Sequence, residues 1–227
     1  MTRSILLLCG LLASHRAAAS PCLDLAANPV GSSWTYAGTR LWSSPGAAHA
    51  DSGPVDWTST LVDARPLGAG YLMLVRGFVT ELAWSDPSTQ PRLSILACVQ
   101  DSLVRREFFA DSEATQAFDR WTDSPAAGAT LLVGDSLRDG TVFGQDPPRN
   151  DDMYGWSVER LNPAPNLPTT CRPSGTDALR LTMRTLPDHA VLEWRAGIGV
   201  TAFLYGHHGT RASADVRLIR CTRGAHR

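Results

Sequence analysis

Between Ser33 and Trp42 apolar and polar positions alternate, with Trp34 and Tyr36 on one side. That two-residue period marks a strand with one buried face. Val55, Trp57, Ser59 and Leu61 keep the period, and Tyr71 to Trp84 is rich in β-branched and aromatic residues. Leu93 to Phe109 is long enough for one strand or a pair. Shorter strands are expected at 131–133, 142–143 and 154–161. The clearest pattern lies at 178–185, 191–195, 198–205 and 211–221, where Gly206-His207-His208-Gly209 reads as the hairpin turn between the last two.

One stretch follows a helical period instead. Ala114, Ala117, Phe118 and Trp121 fall on one face behind Asp111-Ser112, which can cap, and Pro125 and Gly128 stop the turn. This predicts one short helix near 112–121. Prolines 163, 165, 168 and 173 make 162–175 unsuited to helix or central strand, so it reads as a long surface loop held by Cys171. Gly31-Ser32-Ser33-Trp34 and Gly134-Asp135-Ser136-Leu137 read as matching turn-into-strand starts of two halves. The sum is a single all-β, mostly antiparallel domain.

The N-terminus has a different texture. Arg3, the apolar run Ile5 to Ala13, and Ala17-Ala18-Ala19 have the three-part layout of a signal peptide over 1–19. The run is about half the ~20 apolar residues of a membrane span, so no transmembrane anchor is expected. The β domain then occupies 20–227. Removing the leader takes 21 basic residues to 19 against 22 acidic ones, a net charge of −3. Such a chain has no field to attract nucleic acid. Every basic residue is Arg, which points to a GC-rich, bacterial coding sequence and says nothing of function.

Cys9 leaves with the leader, so Cys22, Cys98, Cys171 and Cys221 remain. An even number in an exported chain predicts two disulfides. The expected pairing is Cys22–Cys221, tying the ends of the domain, with Cys98–Cys171 linking a strand to the Pro-rich loop. No Cys-x-x-Cys spacing favours zinc. Pro21 argues against lipidation of Cys22.

Four further features carry candidate chemistry. Gly134-Asp135-Ser136-Leu137 spells the signature of a family of esterases and lipases whose serine is the nucleophile. Nucleophilic serine sits on a strand-to-helix turn within reach of a His. Here Gly140, Gly144, Pro147 and Pro148 follow, and the family's C-terminal Asp-x-x-His pair is absent. A plain β-turn is the better reading of Ser136. His207 and His208, with His189 as a third ligand, are metal candidates, but neighbours on a strand point to opposite faces, so a solvated tip is expected. Asp151-Asp152, with Asp146 and Asn150, lack the alternate-acid calcium pattern and read as an acidic loop. The seven tryptophans, at 34, 42, 57, 84, 121, 156 and 194, are read as core rather than as a ligand platform.

Taken together, Pro29-Val30-Gly31-Ser32-Ser33-Trp34-Thr35-Tyr36, the Leu131-to-Ser136 segment, Asp177-Ala178-Leu179-Arg180-Leu181 and Trp194-Arg195-Ala196-Gly197-Ile198-Gly199-Val200 resemble a loose group of exported bacterial β-rich proteins and lipoproteins of unknown function. The resemblance covers most of 29–221. It implies a wrapped antiparallel sheet or incomplete barrel, and no catalytic residues. Gly197 and Gly199 fit such curvature, because they permit a bulge. The expected function is therefore a non-catalytic, exported module of the bacterial envelope, without cofactor, that binds a hydrophobic ligand or an envelope partner. A cavity lined by Leu72, Leu74 and Val200 would mark the ligand. The alternatives are a hydrolase using Ser136 and a purely structural accessory domain.

Overall fold

The structure, a computed structural model, describes Leu25 and residues 27–43, 50–68, 70–83, 90–99, 102–122, 130–133, 139–145, 147, 149, 151–208 and 212–225. Its strands are β1 (Ser33–Trp42), β2 (Asp51–Leu67), β3 (Gly70–Arg76), β4 (Leu93–Val99), β5 (Ser102–Glu107) and β6 (Thr130–Val133), then β7 (Val142–Phe143), β8 (Trp156–Arg160), β9 (Ala178–Arg184), β10 (Asp188–Arg195), β11 (Gly199–His207) and β12 (Ala212–Thr222). A helix, α1 (Asp111–Arg120), lies between β5 and β6, and a 3-10 turn, Val79–Ala83, follows β3.

All twelve strands form one sheet in the order β6-β5-β4-β3-β2-β1-β12-β11-β10-β9-β8-β7. Two six-stranded meanders are thus joined along β1 and β12, where Ser33 faces Thr222 and Gly38 faces Val216. Pairing between consecutive strands is antiparallel throughout. No ladder joins β6 to β7 among the described residues, so the sheet is open.

The order also dictates that the sheet wraps. Laid flat, eleven strand spacings of ~4.8 Å would separate the edges by about 50 Å. The chain passes from Val133 to Val142 in nine steps, which span at most ~30 Å. The edges must therefore curl toward each other. Four one-residue bulges supply local bending. Val62 is the extra residue on β2, Leu132 on β6, Thr201 on β11 and Ile219 on β12. Val62 and Ile219 point outward and are exposed.

The wrapped face encloses the main core. Trp34 and Tyr36 of β1, Met73 and Val75 of β3, Leu192 and Trp194 of β10, and Phe203 of β11 all belong to it. A second core lies on the outer side of β3–β5. There Leu72, Leu74, Ile95 and Val104 meet Ala114, Phe118 and Trp121 of the helix. Strands β3 and β4 are thus buried on both faces, which is why they read as continuous apolar runs rather than alternating ones. Burying Phe118 alone contributes roughly 1.5–3 kcal/mol. Arg65 donates to the carbonyls of Phe118 and Trp121 and so satisfies the helix's C-terminal end.

Several expectations need correction. The strand expected over 71–84 ends at Arg76, because Gly77 takes a left-handed φ of 66° and the chain enters the 3-10 turn. Asp111 does not cap the helix; its carboxylate pairs with Arg76 at 2.8 Å, and Ala110 holds the cap position without a side-chain bond. Gly206 and His207 are not turn residues but the last rungs of β11, opposite Ser213 and Ala212. The loop at 162–175 is free of strand and helix, as its prolines require.

Candidate functional site

The interior is the first place to look for a ligand, and it is full. Between Met73 and Leu96 on one side and Trp194 and Val200 on the other, the remaining cavity is about 20 Å³. That is room for about one water, against the ~300–1,000 Å³ of a small-molecule site. Tyr36 closes it by donating its hydroxyl to the Val200 carbonyl at 2.9 Å; burial pushes its phenol pKa far up. Leu72 and Leu74 do not line this space with Val200. They face the helix, because alternation along β3 sends Met73 and Val75 inward instead.

The cysteines are arranged differently from expectation. Cys171 bonds Cys221, with Cα atoms 5.0 Å apart. The expected partners Cys22–Cys221 and Cys98–Cys171 are therefore excluded. The Pro-rich loop folds back on the end of β12, where the Cys221 amide donates to Thr170 Oγ1 at 3.1 Å. Cys98 sits 2% exposed in β4, opposite Tyr71 and Leu103, and is itself disulfide-bonded.

The remaining candidates are scattered over the chain. Ser136, Cys22, Asp146 and Asn150 lie outside the described residues. His207 Nδ1 is 2.8 Å from Asp188 Oδ1, to which the Tyr205 hydroxyl donates at 2.6 Å. Burial works to raise the Asp188 pKa, but these hydrogen bonds outweigh it and hold the carboxyl below its usual range. The amide of His208 donates to the Pro187 carbonyl, and His189 lines a different part of the surface. Asp151 accepts a two-pronged pair from Arg149 at 2.9 and 3.0 Å, and Asp152 pairs with Arg184 at 3.4 Å. Five of the tryptophans, Trp34, Trp57, Trp121, Trp156 and Trp194, are core. Trp84 lies outside the described residues.

Two charged features are self-satisfied. On the outer face of β8–β12, a hollow of about 400 Å³ has Glu193 at its centre, paired with Arg180 at 3.1 Å and Arg217 at 3.5 Å. Near the helix, buried Arg105 faces Glu81 at 3.9 Å and stacks over Phe78. Desolvation raises the Glu81 pKa against the Arg92 amide and Arg105, and lowers that of Arg105 against Glu107 and Glu81. This pair fills a recess of only about 40 Å³ and acts within the core.

A third feature is not satisfied. At one end of the wrapped sheet, a groove of about 340 Å³ runs beside the Cys171–Cys221 bond. Trp34 and Ile198 form its apolar floor, and Asn28, Thr170, Thr222, Arg172 and Arg223 contribute its polar walls. Asn28 Nδ2 donates to the Leu25 and Gly197 carbonyls at 2.9 and 3.0 Å, fixing the wall to the turn after β10. Gly197 is required there: its φ is 75°, and a Cβ would sit 2.8 Å from Ser174.

No protein-family model matches this chain. No curated protein matches it either. Among solved structures, a candidate exported protein with a YmcC-like fold from Bacteroides fragilis is similar, at 9% identity and a TM-score of 0.37, over 86% of this chain and 97% of that one. The fold described above rests on the strand order rather than on that likeness.

Neither Arg172 nor Arg223 stood out in the sequence. Each lies next to, or one residue beyond, a cysteine, but only the actual pairing brings them to one groove. No helix among the described residues is long and apolar enough to cross a membrane.

Proposed function

We propose that this chain is an exported, disulfide-bonded, non-catalytic module of the bacterial envelope that engages its partner through the groove beside Cys171–Cys221. The contrast in space supports the reading most directly: about 20 Å³ inside the sheet and about 340 Å³ in the groove. An apolar ligand held within the sheet has no room. The Cys171–Cys221 bond fits an oxidising compartment, and removal of a leader over 1–19 would give a mature start near Ser20.

A benzophenone amino acid at Thr222 tests the groove in intact cells. Light is expected to give an adduct with an envelope component, and the same probe at Leu204, in the outer hollow, is expected to give none. Adducts from Leu204 alone would overturn the choice of surface. Intact mass of the envelope-fraction protein tests export, since retention of 1–19 or of free thiols at 171 and 221 would contradict it. Saturable one-to-one binding of the neutral dye N-phenyl-1-naphthylamine would overturn the filled interior.

A further inference from the structure

Resting on the reading that the groove is the working surface, we infer that it is an oxyanion site taking the phosphate or carboxylate of a hydroxylated ligand. Arg172 directly follows Cys171, and Arg223 lies two residues after Cys221. The disulfide holds the two backbones 5.0 Å apart at the cysteine Cα atoms. It therefore brings two guanidinium-bearing segments to the wall of one groove, although like charges repel.

Eleven of the chain's other described arginines have a carboxylate or an aromatic ring beside them, and the three that do not, Arg120, Arg195 and Arg220, lie outside the groove lining. Arg76, Arg149, Arg160, Arg180, Arg184 and Arg217 each face a carboxylate. Arg40, Arg65, Arg92, Arg105 and Arg106 each lie over an aromatic ring. Among the described residues Arg172 and Arg223 have neither, and no described Asp or Glu lines the groove. A chain with a net negative charge thus carries a local concentration of positive charge in a concave site. Guanidinium offers a planar fork of N–H donors that matches the two oxygens of a carboxylate or phosphate.

The remaining lining fits a ligand larger than the anion alone. The groove is at the lower end of the ~300–1,000 Å³ range of small-ligand sites. The Thr222 hydroxyl can meet a hydroxylated body, and Trp34 and Ile198 offer an apolar floor. A soluble anion and a lipid headgroup share this chemistry, so the test carries both.

Calorimetric titration of the oxidised mature protein at low salt with inorganic phosphate, glycerol phosphate, gluconate and neutral glycerol makes the comparison. At least one anion is expected to bind one-to-one and glycerol not at all. Arg172→Gln and Arg223→Gln should each weaken binding about tenfold or more, the scale of one lost charge-assisted hydrogen bond. Arg184→Gln removes the same charge elsewhere and should leave affinity unchanged. Flotation with phosphatidylglycerol vesicles, competed by glycerol phosphate, assigns the site to a headgroup if the vesicles are retained and to a soluble anion if they are not. Absence of binding by every anion and vesicle, or equal losses in all three variants, overturns the inference. If anion binding fails while the Thr222 adduct persists, the oxyanion assignment falls and the groove reading stands; if both fail, both fall.

Discussion

Replacing Gly38 by Ala strikes the line along which the two meanders meet. Gly38 lies in β1 opposite Val216 of β12. A Cβ built there would sit 1.9 Å from the Asp215 carbonyl oxygen and 2.8 Å from the Val216 Cα. Both are backbone atoms, so no side-chain rotation relieves the clash; the strands must part locally. Overpacking of this kind costs about 1–3 kcal/mol, and losing one ladder hydrogen bond adds about 1 kcal/mol. The sum, about 2–4 kcal/mol, corresponds to a fall in Tm of roughly 5–15 °C for a chain of this length. Urea unfolding at constant slope and a thermal melt would read it. Gly206→Ala is the matched control, since Gly206 is also a strand glycine but its Cβ would meet nothing within 4 Å. It should be neutral or stabilising by up to ~1 kcal/mol. Equal stability of the two variants, within ~0.5 kcal/mol, would refute the close approach of β1 and β12.

Three further outcomes are expected. Replacing Cys171 and Cys221 together by Ser opens a loop with a sequence separation of 50 and should cost about 4 kcal/mol in the chain-entropy account; peptide mapping of the oxidised protein should give Cys171–Cys221 and leave Cys22 as the partner of Cys98, and any other map contradicts the arrangement. Because the folded Asp188 carboxyl titrates below its unfolded value, it stabilises the protein above about pH 4 and ceases to as pH falls through the lower, folded value. The stability gap between wild type and Asp188→Asn, followed by Tm across acidic pH, should therefore shrink on acidification, and a constant gap would count against it. Ser136→Ala should keep the fold and leave any esterase activity unchanged, whereas a loss of ~10³-fold or more would make that serine a nucleophile.

The sheet's local pieces were legible, and the joining of its two meanders along β1 and β12 was not. Alternation placed β1 at its observed ends, Ser33 and Trp42, because one face of that strand is core and the other is not. The same signal failed after Arg76, where Val79 and Leu82 are as apolar as the strand before them but lie in a 3-10 turn. Burial was visible there; backbone geometry was not. The helix face was legible from Ala114 and Phe118, yet its partner, the outer side of β3 and β4, could be found only once Leu72 and Met73 were seen to point opposite ways. The candidate groove was not legible. Arg172 and Arg223 carry no local signal, and cysteine counting leaves pairing undetermined. What brings them together is the return of the Pro-rich loop onto β12.

The joining of β1 to β12 also sets a time order. In the natural chain, the ladder that unites the two meanders pairs the first described strand with the last, and closing so long a loop is the slowest entropic step in the sheet. Every other ladder links strands consecutive in sequence. Ser33 and Thr222 are cross-strand partners, so a short linker could join these ends while the chain is cut between Val133 and Val142. The permuted molecule would be one uninterrupted twelve-stranded meander with the same sheet and no distant pairing. Its natural counterpart, if translocated N-terminus first, must hold β1 unpaired on that side until β12 arrives. The order of the strands thus leaves the sheet in two separate halves until β12 has been delivered.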